Sequence, residues 1–401
     1  MTSPDRFRIL AAAFLRALGV GMVGVLFGLY LARGGLHAGQ VGLVVAAGLA
    51  GLAAGTFLVS FWADRIGRRR TLMVLALATG LGGWGVALFP SFPVLVAVAF
   101  FGMVNAMGRE RGALFSLEQA ILPETASPRQ RTQVLAWYNL LLDVGMALGS
   151  LLGSLPFFLR KNFGLADFAS YQCMFALYGT LGLAGLLLYR GLSSRIEIHQ
   201  STPWHKVSPA SRRIITRISL LFGLDSLGGG FLPAALISYW FFKRFGIGEE
   251  MLGPFFLIAH LVNAPSYLVA AWVSRHLGLI KTMVFSHVPA NLCLLAIPFA
   301  PSLTLAMGLY LVREFLVEMD VPTRQSYVLA VVEPNERTIA SGVTNLTRSV
   351  AWAIGPSLAG YAMRSLALST PLFIGGGLKV VYDLCLYYSF RRVKPLEERQ
   401  P

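Results

Sequence analysis

Charged side chains are scarce in this chain, at 13% of its 401 residues, where a water-soluble domain carries roughly 25%. The shortage falls hardest on acids, with 19 Asp and Glu against 34 Lys and Arg. So little charge excludes a soluble globular domain and indicates a chain dissolved in a bilayer. Cysteine is nearly absent. Cys173, Cys293 and Cys385 sit singly in apolar stretches, which argues against a disulfide framework and offers no metal-ligand spacing. There is no phosphate-binding glycine loop, metal motif or nucleophile–base set, so neither an ATP-driven pump nor an enzyme is expected, and no cofactor is implied. The net charge of +15 does not form a basic patch interleaved with aromatics, and nucleic acid is not an expected partner. Met1 to Arg8 is polar and short. The apolar run after it has no small-residue cleavage pattern and is expected to stay as a span.

What the chain has instead is apolar length: 55% hydrophobic residues and a mean hydropathy of +0.64. Residues 38–63 and 71–108 hold no acidic or basic side chain, and each run exceeds the ~20 residues a helix needs to cross a membrane. Hydropathy and turn signals predict twelve spans, near 9–32, 38–63, 71–89, 92–118, 132–158, 169–190, 214–242, 250–274, 281–299, 302–330, 338–363 and 367–390. With the N-terminus inside, only Arg33, Arg160, Lys161, Lys243, Arg244 and Arg364 among the basic loop residues fall outside. This bias predicts a multi-pass protein of the cytoplasmic membrane with both termini cytoplasmic. The longest hydrophilic segment, 191–213, separates a six-span bundle at 1–190 from a second at 214–401, which ends in a short basic tail.

The halves resemble each other at an offset of about 210 residues, the mark of a parallel repeat with a pathway between pseudo-symmetric bundles. Arg16 falls opposite Asp225, Tyr30 opposite Tyr239, Trp62 and Arg65 opposite Trp272 and Arg275, and Pro90-Ser91 opposite Pro301-Ser302. Further on, Arg131, Asn139 and Gly149 match Arg337, Asn345 and Gly355, and Arg109-Glu110 matches Arg313-Glu314.

Between spans 2 and 3 lies Ser60-Phe61-Trp62-Ala63-Asp64-Arg65-Ile66-Gly67-Arg68-Arg69. With twelve spans and a central basic loop, this resembles the G-x-x-x-D-R/K-x-G-R/K-R/K motif of the major facilitator superfamily, with Ser60 in place of the first glycine. The resemblance covers essentially the whole chain and leaves the subfamily open. It implies an all-α integral membrane fold of two pseudo-symmetric six-helix bundles, and an inner gate at Asp64, Arg65, Gly67, Arg68 and Arg69. The matching loop of the second half carries Ser274 where the motif has its acid. Span 5 has Gly145, Gly149 and Gly153 at spacing four but lacks the Gly-Pro pair of the family's proton-coupled drug antiporters. That pair appears in span 11 as Gly355-Pro356. Small residues four apart predict close helix contacts in both spans.

Ionisable groups within a span are expensive and mark function or pairing. Span 4 carries Asn105, Arg109, Glu110 and Glu118, and helical spacing would place Asn105 and Arg109 on the face of Gly112 and Ser116. Span 10 carries Arg313, Glu314, Glu318, Asp320 and Arg324. Both clusters suit first a salt-bridged inner gate in which Glu118, Arg131 and Arg337 partner the 64–70 loop, and second substrate or proton handling. Arg16, Asp143, Asp225, His260, Asn263 and Arg348 lie nearer mid-span. Arg16 and Asp225, repeat mates of opposite charge, are expected to pair, and so are Lys379 and Asp383, four apart in span 12. His260 is expected to be a satisfied interior histidine, and its titration range also suits a pH switch.

The expected function is secondary active transport of a small solute by alternating access. The coupling ion is expected to be the proton, the chain a monomer in lipid, and Gly355-Pro356 tips direction towards efflux. The interior arginines give the alternative, proton-coupled uptake of an organic or inorganic anion. A non-transporting sensor or lipid-handling protein on the same fold is the remaining reading.

Overall fold

The computed structural model describes residues 4–110, 112–126, 130–197, 208–320, 324, 327 and 337–390, and among these it contains no strand. In chain order the α-helices are α1 (Pro4–Arg33), α2 (Ala38–Ile66), α3 (Arg68–Leu88), α4 (Phe92–Phe101), α5 (Ala113–Ile121), α6 (Arg131–Leu152), α7 (Leu155–Phe163) and α8 (Asp167–Arg190). They continue with α9 (Pro209–Gly230), α10 (Ala234–Phe245), α11 (Glu249–Leu261), α12 (Asn263–Leu277), α13 (Leu279–Ala296), α14 (Leu303–Glu318), α15 (Arg337–Ser365) and α16 (Thr370–Phe390).

Helix ends follow local chemistry. Pro4 and Pro209 stand in the first turns of α1 and α9, where a missing N–H costs nothing. Ser208 accepts the Ser211 N–H, and His37 and Gln40 form a reciprocal cap on α2. The repeat seen in the sequence recurs in the backbone. Gly67 (φ 104°) joins α2 to α3 and Gly278 (φ 82°) joins α12 to α13. At each, the glycine carbonyl accepts a threonine hydroxyl four residues on, Thr71 at 2.9 Å and Thr282 at 2.8 Å. Only glycine adopts these angles without strain.

Seven helical stretches among the described residues are long and apolar enough to cross a membrane. Several of the twelve predicted spans are interrupted. Span 4 is two short helices, α4 and α5, joined by irregular backbone with positive φ at Met103, Gly108 and Gly112. Span 5 breaks between α6 and α7 at Gly153-Ser154, span 7 at 231–233 around Pro233, and span 8 at Val262. The end of span 10 falls outside the described residues beyond Asp320, apart from Arg324 and Tyr327. Irregular backbone at membrane depth is tolerated only where protein or water satisfies its polar groups.

The chain divides into two compact units. The first holds Met1–Ser201, Pro233–His260 and Pro356–Ser365, and the second holds Thr202–Leu232, Leu261–Gly355 and Leu366–Pro401. In the first, α1 packs on α6 and α8, and α3 on α8. Its core is built on Ile9, Ala13, Leu72, Leu117, Tyr138 and Tyr189. The predicted small-residue contacts are met. A Cβ at Gly149 would stand 2.0 Å from the Leu18 carbonyl, and one at Gly21 would stand 2.1 Å from that of Met146. In the second unit, α13 and α9 pack on α16 around Ile218, Phe222, Met283, Tyr382 and Leu386. Gly355 lies against the Gly230 backbone at a would-be Cβ distance of 2.4 Å. Leu81, Leu88, Leu187, Phe285 and Leu292 face outward, as lipid contact allows and water does not.

Candidate functional site

In the first unit Arg16, on α1, is clamped by two carboxylates from span 4. Its Nε donates to Glu110 Oε1 at 2.8 Å, and its Nη1 and Nη2 donate to the Glu118 oxygens at 3.0 and 2.5 Å. Glu118 is wholly buried. It also accepts the Tyr138 hydroxyl at 2.8 Å and the Tyr189 hydroxyl, while Tyr189 accepts from Arg16 Nη1 at 3.0 Å. Glu118 is thus saturated, but Glu110 is not. Its Oε2 is buried without a hydrogen-bond partner among the described residues, and Glu110 borders a cavity of about 20 Å³ lined also by Thr79, Asn105 and Tyr178. That volume suits about one water.

The broken backbone of span 4 positions Glu110. Asn105 clips it from inside, its Nδ2 donating to the Arg109 carbonyl at 2.9 Å and its Oδ1 accepting the Met107 N–H at 3.1 Å. Ala234 and Ala235, opening α10, donate their N–H groups to the Met107 and Ala106 carbonyls at 3.3 and 3.2 Å. The irregular segment therefore replaces lost helical bonds with bonds to span 7. This corrects the helical face assigned to Asn105, Arg109, Gly112 and Ser116: three glycines at 102, 108 and 112 let the chain leave the helix. Arg109 is electrostatically linked to Asp143 on α6.

The second unit holds a separate network. Asp225, on α9, accepts from Lys379 Nζ at 2.6 Å, with Arg324 Nη1 at 3.5 Å and His287 Nε2 at 3.9 Å. Arg324 also pairs with Asp320. On α13, His287 Nδ1 meets Asp383 Oδ1 at 2.7 Å, and Asn291 Nδ2 donates to Asp383 Oδ2 at 3.1 Å. Arg313 pairs with its neighbour Glu314, and Glu318 is buried in the same unit. Arg348 Nε donates to Ser226 Oγ at 3.0 Å.

Two expected pairs are therefore replaced. Arg16 binds Glu110 and Glu118, not Asp225, and Asp225 binds Lys379. Lys379 and Asp383, one helical turn apart, turn to Asp225 and His287, because helix rotation brings these buried partners closer than the same-helix neighbour. Asn263 opens α12 in the second unit, its Oδ1 unpartnered among the described residues, while His260 lies in the last turn of α11 in the first. His287, Asn291, Tyr138 and Tyr189 were missed as site residues. A histidine and an asparagine four apart in apolar span 9 were the available signal, whereas the tyrosines read as packing.

At the motif loop Arg68 is buried, its Nε on Asp64 at 2.9 Å and its Nη1 on Glu124 at 2.7 Å. Glu197 accepts the Arg68 and Arg69 backbone N–H groups at 2.6 and 3.2 Å, and Arg69 Nη2 donates to the Arg190 carbonyl at 2.6 Å. The acid serving this loop from the end of span 4 is Glu124, not Glu118, which Arg16 holds inside the bundle. Arg65 and Arg131 are exposed, and the Arg337 side chain lies outside the described residues. Asp64 is half-exposed and Arg68 keeps Glu124, so Asp64→Asn is expected to cost under about 1 kcal/mol of stability. It should still slow cycling. Flux in proteoliposomes beside a thermal melt checks this, and an unchanged transport rate removes the loop from the gate.

Elsewhere in the first unit, Glu249 at the start of α11 is fully buried and accepts from Arg160 and from the Tyr171 hydroxyl at 2.6 Å. Ser154 donates to the Glu249 carbonyl at 3.2 Å, so span 8 is tied to spans 5 and 6 at this end.

Comparison with known proteins agrees with this architecture. The sequence profile described as Major Facilitator Superfamily matches residues 9–356. The uncharacterized membrane protein YJR124C of Saccharomyces cerevisiae is 25% identical over 97% of this chain and 95% of its own length. The uncharacterized MFS-type transporter YceJ of Bacillus subtilis is 23% identical over 81% of this chain and 80% of its own. The crystal structure of the nucleoside transporter NupG superposes with a TM-score of 0.75, covering 96% of this chain and 100% of that one, at 12% identity.

Proposed function

The chain belongs to the Major Facilitator Superfamily, and from that premise we propose that it is a proton-coupled secondary active transporter, moving a small solute across the cytoplasmic membrane by alternating access. The observation that carries the coupling is the buried set of one arginine and two carboxylates, Arg16, Glu110 and Glu118. Its formal charge is −1, and uncompensated charge at membrane depth is costly, so one proton completes the set. Glu118 has every oxygen engaged by Arg16 and two tyrosines. Glu110 lines a water-sized cavity and has one oxygen with no hydrogen-bond partner among the described residues, and there the proton is held.

Protonation weakens the Glu110–Arg16 attraction and lets the irregular part of span 4 shift against α1. That segment carries the Met107 and Ala106 carbonyls that hold the start of α10. A proton at Glu110 is therefore one short stretch of backbone away from a helix of the other sequence half, which is the linkage that alternating access requires.

Glu110→Gln is the direct test, using a solute found by ligand-stabilisation screening of the purified protein. In proteoliposomes the variant is expected to lose accumulation driven by a pH gradient and to keep exchange of labelled for unlabelled solute. Accumulation equal to that of the unmodified protein would remove Glu110 as the proton site.

A further inference from the structure

Five Lys and Arg residues are buried among the described residues: Arg68, Arg313, Arg324, Arg348 and Lys379. Four have carboxylates. Arg68 has Asp64 and Glu124, Arg313 has Glu314, Arg324 has Asp320 and Asp225, and Lys379 has Asp225. Arg348 has no ion-pair partner among the described residues, although the residue is only 7% exposed. Asp225 and Asp320 act on it electrostatically but hold closer cations, Asp225 the Lys379 ammonium and Asp320 the Arg324 guanidinium.

The surroundings hold the guanidinium in one pose. Its Nε is tied to Ser226 Oγ at 3.0 Å, and its central carbon lies 4.6 Å over the ring of Trp352, one turn along α15. A Cβ at Gly229 would stand 3.0 Å from the Trp352 indole nitrogen, so glycine is what lets α9 close against this platform. With one face on the indole and Nε occupied, Nη1 and Nη2 form a planar fork whose N–H groups have no acceptor among the described residues. A buried cation without a direct ion pair is unfavourable. A rigid guanidinium fork has the shape of a carboxylate.

We propose that Arg348, held by Ser226 and Trp352, anchors the carboxylate of the transported solute, so that the solute is an organic anion. This rests on the transporter reading above and assigns its substrate class. The ligand supplies in the loaded state the direct carboxylate contact that Arg348 lacks among the described residues. This distinguishes Arg348 from Arg16, whose counter-charges are built in.

Binding to purified full-length protein in lipid nanodiscs tests this without requiring turnover. The probes are benzoate, octanoate and succinate at millimolar concentration, with benzamide as the neutral counterpart of benzoate and inorganic phosphate as the other oxyanion. At least one carboxylate is expected to raise Tm by several degrees, with benzamide inert and the rise absent in Arg348→Gln. Arg348→Lys keeps the charge but loses the fork, and is expected to weaken binding by about tenfold. The assignment is overturned if no carboxylate shifts Tm, if benzamide or phosphate alone does, if the shift survives in Arg348→Gln, or if Arg348→Lys binds with undiminished affinity. Carboxylate binding without any flux would sink the transporter reading and leave the Arg348 assignment standing.

Discussion

Arg16→Met is expected to destabilise the first unit by about 3–5 kcal/mol, because it strands two buried carboxylates. Glu118 is fully buried and Glu110 nearly so, and each has Arg16 as its cationic partner. The size of the loss comes from the stranded anions more than from the arginine's own bonds, and that makes it testable. If it is so, Arg16→Met combined with Glu110→Gln and Glu118→Gln recovers most of the stability, since removing a whole buried charge set is often neutral while removing one member is not. Thermal and denaturant melts of the single and triple variants in one detergent decide the matter. A single variant as stable as the parent, or a triple variant no better than the single, would mean that the set is hydrated and not buried as described.

Asp225→Asn carries the second large effect, again about 3–5 kcal/mol, through the Lys379 ammonium it leaves uncompensated inside the second unit. Arg324 suffers less, because Asp320 also holds it. The converse change is expected to be milder. Lys379→Met leaves Asp225 with Arg324 at 3.5 Å and His287 at 3.9 Å, and should cost about 1–3 kcal/mol. Asp225→Asn with Lys379→Met should then sit near the milder single variant. Equal losses for the two single variants would contradict this ordering and point to a network in which Lys379 finds another acid.

The features legible from sequence share a physical origin, in that each is local. Gly67 and Gly278 announce their turns because a positive φ between two helices admits little else. Gly149 and Gly355 announce helix contacts because spacing four puts small residues on one face, and both lie against a neighbouring backbone. Arg16, Glu110, Asp225, Arg324 and Arg348 stand out because charge within an apolar span is rare.

What stayed hidden depends on how helices turn towards one another. Span 4 reads as one continuous helix, yet it breaks between Gly102 and Gly112. Its carbonyls find donors in Ala234 and Ala235, more than 120 positions along the chain. Rotation of α13 places His287 on Asp383, and Lys379 reaches Asp225 over its neighbour one turn away.

The sequence by itself determined that the chain lives in a bilayer, that it is a repeat of two six-span halves, and which few charges the membrane must tolerate, since composition and spacing carry those costs residue by residue. Only the tertiary structure decided which charges neutralise each other and which buried arginine has no ion pair among the described residues. Attraction between buried ions depends on separations of a few ångströms, and those are set by helix rotation and by glycine contacts from other spans.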